Sequence, residues 1–148
     1  MSRIRRILHP SDFSRASRAA FAHALDMAKS NRAELVVVHV LPPVMFLPPE
    51  GYISPKLYQD LEASNLAGAR KQMDRLLASA KKAGVKAVSV ILDGIPADQI
   101  ARAARSRRAD LIVIGTHGRT GVARLFLGSV ASRVIALAPC PVLTVRGK

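Results

Sequence analysis

Residues 110–129 read Asp-Leu-Ile-Val-Ile-Gly-Thr-His-Gly-Arg-Thr-Gly-Val-Ala-Arg-Leu-Phe-Leu-Gly-Ser, and the fold class turns on this stretch. Leu111 to Ile114 is a short, β-branched apolar run, the pattern of a strand buried on both faces. It stops at Gly115, and Gly118 and Gly121 follow in a stretch with no side-chain bulk at those points. A second apolar segment begins near Leu125, and Gly128-Ser129 leads into Val130–Leu137, which reads as a helix. Strand, glycine loop and helix in this order let backbone N–H groups reach phosphate oxygens at a helix amino end. A plain surface loop, with glycines only to allow positive φ, has the same spacing. The residues alone leave both readings open.

Outward from that stretch, the same alternation recurs. Residues 4–9 predict a first strand ending at Pro10, and Pro10 to Ser14 predicts a turn in which Asp12 or Ser14 caps a helix. Phe21, Leu25 and Ala28 then recur at helical spacing to about Ser30. Leu35 to Val40 is a second apolar strand, in which His39 reads as a hydrogen-bonded core histidine, with no second histidine at metal spacing. Six prolines and glycines between Pro42 and Pro55 forbid regular structure over most of that stretch, leaving a loop long enough to fold over a ligand as a flap. Ser54-Pro55 starts a second helix, with a stripe from Leu66 to Ala80 that includes Met73, and Gly84 ends it. Val85 to Leu92 is a third strand, Asp93 to Pro96 turns into a third helix burying Ile100, Ala101 and Ala104, and Val142 to Val145 is a fifth strand after Pro139-Cys140-Pro141. Four β-α units closed by a fifth strand mean a parallel sheet covered by helices on both faces. If the chain reverses between strands one and four, Asp12 and Gly115 meet at the switch-point crevice.

Composition narrows the classes. The chain has 148 residues, 49% of them hydrophobic and 22% charged, enough to bury a core as a single domain over 1–148. No apolar stretch approaches the roughly 20 residues that span a bilayer, and Ile7-Leu8 after the basic amino terminus is too short for a signal core. The expectation is a cytoplasmic protein without a membrane partner. A lone cysteine, Cys140, excludes an intramolecular disulfide and any Cys-based zinc site, and between two prolines it reads as a buried structural thiol. The net charge of +13 suits an anionic partner, yet the cations are spread along the chain, mostly at helical positions opposite the apolar stripe. With four Phe, two Tyr and no Trp, a base-stacking platform is not expected, and nucleic acid would be held nonspecifically at low salt.

Gly115-Thr-His-Gly118, nine residues, then Gly128-Ser129 resembles the G-x-x-G-x9-G-(S/T) nucleotide signature of the universal stress protein family. Ile7 to Ser14, Val37 to Val40, Gly94-Ile95-Pro96 and Cys140 to Val145 resemble that family too, in its order and over essentially the whole chain. The resemblance implies a Rossmann-like five-stranded parallel sheet of order 3-2-1-4-5 with an ATP-binding crevice at the switch point. It also implies a homodimer made by pairing of fifth strands. Carried over residue by residue, Gly115, Gly118, Gly128 and Ser129 would hold ribose and phosphates, with Mg2+ on the phosphates. Asp12, beside Pro10, would accept from the ribose or adenine side, and Val40 would meet adenine through its backbone. Arg119, and Arg124 in the same spacer, would neutralise phosphate charge.

Neither G-x-x-x-x-G-K-(S/T) nor G-x-G-x-x-G occurs, and near the proposed phosphates only Ser129, His117 and two arginines carry chemistry. No catalytic residue is assigned, and at most slow ATP hydrolysis is expected. The reading is an ATP-binding, dimeric sensor or regulator in stress response. The alternative is a nucleotide-independent dimeric interaction module whose basic surface binds nucleic acid or another acidic partner.

Overall fold

In the computed structural model, residues 3–43, 54–117 and 127–147 are described. Strands β1 (Arg6–Pro10), β2 (Glu34–Leu41), β3 (Ala87–Asp93), β4 (Leu111–Gly115) and β5 (Val142–Val145) alternate with helices α1 (Arg15–Asn31), α2 (Pro55–Lys82), α3 (Pro96–Ser106) and α4 (Ser129–Leu137). All strand pairs are parallel, and the order is β3-β2-β1-β4-β5. The chain therefore reverses between β1 and β4, as the resemblance implies, and in open parallel sheets that switch point, beyond the carboxyl ends of the strands, is where ligands bind.

Alternation within each strand sorts the apolar side chains onto two faces. Ile7, Leu35, Val37, Leu111 and Val113 meet Ala20, Phe21, Ala24 and Ala28 of α1 and Met73 and Ala80 of α2. Leu8, Val36, Val38, Ile112 and Ile114 meet Ala97, Ile100 and Ala104 of α3 and Ala131 and Val134 of α4. This is why consecutive residues of the three inner strands, Ile7-Leu8, Leu35 to Val38 and Leu111 to Ile114, are apolar: each strand serves two cores. The helices contribute mainly alanine, so their backbones approach the sheet closely.

Helix α2 is about 42 Å long at the usual rise, roughly twice the length of the strands it covers. Its buried residues, Ala69, Met73 and Ala80, fall in the second half, and the first turns project beyond the sheet. No helix among the described residues is long and apolar enough to cross a membrane.

Several boundaries differ from expectation. Strand β1 starts at Arg6 and takes in Pro10, which pairs with Val38; Ser11, the next residue with an N–H, donates to the Val38 carbonyl at 2.8 Å. Strand β3 starts at Ala87, because Val85 is used to close α2 by donating to the Ala80 carbonyl at 2.9 Å. Helix α4 starts at Ser129, one residue before the predicted start. Cys140 is half-buried rather than buried. Partial burial, and less so the Asp110 carboxylate, push its thiol up, which disfavours the reactive thiolate.

Three of the four helix-to-strand turns share one construction; the α4-to-β5 turn, through Pro139-Cys140-Pro141, does not. Ala33, Val85 and Ala109 donate back to the carbonyls of Ala28, Ala80 and Ala104, at 2.8, 2.9 and 2.9 Å. The residue just before each donor takes a left-handed conformation, Arg32 at φ 52°, Gly84 at φ 80° and Arg108 at φ 53°. Glycine fits such a position; an L residue there costs about 1 kcal/mol or more.

Candidate functional site

The switch point is flanked by the loops that leave β1 and β4. After Pro10 the chain makes a tight Asx turn: Asp12 Oδ1 accepts the Ser14 N–H at 2.9 Å and the Ser17 hydroxyl at 2.6 Å. Ser14, not Asp12, is the helix cap, accepting the Ser17 N–H at 3.2 Å. Asp12 instead fixes the loop to the first turn of α1, half-buried at the carboxyl end of β1.

Phe13 adopts φ 65° and lays its ring over His39 with centroids 4.4 Å apart. His39 lies in β2, buried, with Nδ1 2.7 Å from the Ser11 carbonyl; a carbonyl only accepts, so Nδ1 carries the proton. The expected core histidine thus braces the β1–α1 loop onto the next strand. Val40, one residue on, is half-buried against the α3/α4 face and paired in register with Leu92.

A second buried histidine, His9, was not singled out by the sequence. It lies under α1 near Phe21, and its Nδ1 donates to the Val113 carbonyl at 2.9 Å, while the buried Nε2 has no hydrogen-bond partner among the described residues. Burial outweighs the opposing pull of the Val113 carbonyl and the Asp12 carboxylate and lowers its pKa to about 4. The available signal was the alternation of β1, which puts position 9 on the same face as Ile7.

On the other wall, Gly115 ends β4. A Cβ there would lie 3.0 Å from the Ala16 carbonyl oxygen and 3.3 Å from the Ala16 Cβ, so this glycine lets the first turn of α1 close against β4. Gly128 donates to the Thr116 carbonyl at 2.6 Å, and a Cβ on it would lie 2.8 Å from that oxygen. The two ends of the glycine loop are thereby brought together, and α4 begins beside the end of β4. Gly128 caps α4 without a side-chain hydrogen bond, and Ser129 follows, exposed, as its first residue. The first-turn N–H groups of a helix have no partner within the helix, and here no cap side chain takes one.

The fold thus brings Pro10, Asp12, Val40, Gly115, Gly128 and Ser129 to one end of three adjacent strands. Gly118 and Arg119 lie outside the described residues, as do Gly121, Arg124 and residues 44–53 of the expected flap. A cavity of about 1080 Å³ lies elsewhere, between α2 and the sheet edge at β3. Its lining includes Glu62, Asp74 and Asp93 against Arg70, an acidic excess that does not suit a polyphosphate.

Residues 3–146 match the model of the universal stress protein family. Universal stress protein MJ0531 of Methanocaldococcus jannaschii is 40% identical over 144 residues, covering 96% of this chain and 82% of that protein. Universal stress protein UspA from Lactobacillus plantarum has a solved structure with a TM-score of 0.85 at 29% identity, covering 99% of this chain and 100% of that one. A universal stress protein solved in complex with cAMP superposes with a TM-score of 0.69 at 26% identity, covering 99% and 100%. With the family model spanning nearly the whole chain and the sheet order agreeing, this protein belongs to the universal stress protein family.

Proposed function

We propose that the chain binds an adenine nucleotide, ATP with Mg2+ on its phosphates, in the crevice between β1 and β4, and that the bound state is its regulatory signal in stress response. The observation that carries this reading is the start of α4. Gly128, bare of side chain and held against Thr116, leaves the first-turn N–H groups of Ser129 and its neighbours uncapped beside the end of β4. Such groups, with the positive end of the helix dipole, suit phosphate oxygens. Gly115, Gly118 and Ser129 complete the cradle, and Arg119 offsets phosphate charge. Asp12, already oriented by Ser14 and Ser17, accepts from the ribose, and the Val40 backbone meets the adenine. Mg2+ takes oxygen ligands and retains water, so the phosphates suffice to hold it. The cAMP complex of a related protein supports an adenine ligand of this kind.

The role is binding rather than turnover, with slow hydrolysis at most. The protein works as a cytoplasmic homodimer: β5 ends the sheet, Leu143 on it is 38% exposed, and an apolar strand edge favours pairing with a second copy.

Calorimetry with Mg-ATP at moderate salt tests the reading, because a protein this basic attracts any polyanion. Saturable binding is expected for the wild type, and loss of at least tenfold in affinity for Gly118→Val, with the fold retained by circular dichroism. Heat that is unchanged by the valine and fades with salt would mean surface attraction and would overturn it.

A further inference from the structure

In a sheet of parallel strands, every helix-to-strand turn lies at the same end, opposite the crevice. The fold therefore gathers charges that look dispersed along the chain. Arg3, Arg5 and Arg6 lead into β1, and Lys29 and Arg32 close α1. Lys81, Lys82 and Lys86 lie across the turn from α2 to β3. Arg105, Arg107 and Arg108 lie across the turn from α3 to β4. Backbone bonds join these turns into one surface: Glu34 donates to the Arg5 carbonyl, Leu35 to that of Lys86 and Asp110 to that of Arg6, at 2.9, 2.9 and 2.8 Å.

Eleven of the 23 lysines and arginines of the chain are named in those turns, and all but Arg6 are exposed. Two carboxylates stand among them, and both are engaged. Glu34 lies 3.2 Å from Arg6 Nε and 3.4 Å from Lys86 Nζ. Asp110 Oδ2 accepts the main-chain N–H groups of Arg5 and Arg6 at 2.8 and 2.9 Å. The conformation of the turns adds an independent observation. Arg32 and Arg108 hold left-handed positions where the α2 turn has Gly84, so two arginines stand where the backbone favours glycine.

We propose that this pole of the sheet binds the phosphate backbone of double-stranded nucleic acid without reading its sequence. Seven of its eleven cations are arginines, whose planar guanidinium forks match phosphate oxygens. Four adjacent strands set a face about 15 Å across, wide enough to meet several phosphates of a duplex. No exposed large hydrophobic side chain lies in these three turns. Leu137 is exposed at the fourth turn, which holds no lysine or arginine and stands towards the β5 edge, so the basic face itself has no wedge for an acyl layer and no ring for a splayed base. It stands at the opposite end of the strands from the nucleotide crevice and does not depend on it.

The test is fluorescence anisotropy with a labelled duplex of about 20 base pairs and arbitrary sequence, titrated across salt. Wild type is expected to bind with a log–log salt slope of about −4. Arg32→Gly/Arg108→Gly should weaken binding about tenfold and reduce the slope by about 1 to 2. Its melting temperature should be no lower, because glycine suits both backbone positions. Arg70→Gln/Lys71→Gln removes the same charge from the exposed face of α2 and should change affinity less than about twofold. Three results would overturn the proposal: no duplex binding near physiological salt, equal loss in both double variants, or capture by phosphatidylserine vesicles without duplex affinity.

Discussion

Gly115→Val is expected to destabilise the fold by about 3 kcal/mol and to lower the melting temperature by about 10 °C. The cause is local. The first side-chain carbon would sit 3.0 Å from the Ala16 carbonyl oxygen and 3.1 Å from its carbonyl carbon, and these are backbone atoms of a helix. They move only if the first turn of α1 moves. That turn is fixed by the Ser14 cap and by the bonds of Asp12 to Ser14 and Ser17. Valine adds two more methyl groups to the same space, so either α1 lifts from Leu111 and Val113 or the end of β4 shifts. Thermal unfolding followed by circular dichroism measures the effect. A melting temperature within about 2 °C of wild type would show that α1 is not locked against β4 as described.

The second large effect is on pH dependence. His9 is fully buried, its pKa is lowered from 6.5 to about 4, and burial is the principal cause. The unfolded chain therefore binds more protons than the folded one between those values, so stability rises with pH through that window. The contribution of His9 is fully present above about pH 6.5 and is lost as pH falls towards 4. That span is worth about 3 kcal/mol for this one side chain. In His9→Phe the ring sits beside Phe21 without a titrating group, so the dependence between pH 6.5 and 4 should flatten by that amount. At pH 7 the variant should lose about 1 kcal/mol, since the Val113 carbonyl gives up a donor. Urea unfolding of both proteins at a series of pH values separates His9 from the carboxylates, which titrate in both. Equal slopes would contradict a buried, neutral His9.

Much of the architecture was legible in the chain because it follows from local patterns. Leu111 to Ile114 and Leu35 to Val38 are continuous apolar runs, and each proves to be buried from both sides. Ser54-Pro55 starts α2 as expected, with the Ser54 hydroxyl accepting the Leu57 N–H at 3.1 Å. Strand order was not legible in this way. Apolar runs specify burial, not neighbours, and 3-2-1-4-5 came from the resemblance of the whole motif set. The glycines were legible as positions and incompletely legible as causes: Gly115 is required by the close approach of Ala16, a contact about a hundred residues away in sequence.

The cations show the same limit from the other side. Arg32, Lys86 and Arg108 are far apart in the chain, and nothing in their spacing relates them to one another. Only parallel topology, which turns every helix end to one pole, makes them neighbours. Asp110 likewise sits at the amino end of β4, away from the crevice, and its role is to hold the lead-in to β1. His9 and His39 differ in the same manner. Both are buried strand histidines, but His39 has Phe13 and Ser11 over it, whereas His9 has one bonded nitrogen and one without a partner among the described residues.

The central claim, an adenine nucleotide seated where β1, β4 and α4 meet, is tested most directly by amide chemical shifts of the 15N-labelled protein titrated with Mg-ATP. The account predicts saturable shifts at Asp12, Val40, Gly115, Gly128 and Ser129, with Arg32, Lys82 and Arg108 at the opposite pole unmoved. Shifts confined to that basic pole, or absent from the start of α4, would contradict it.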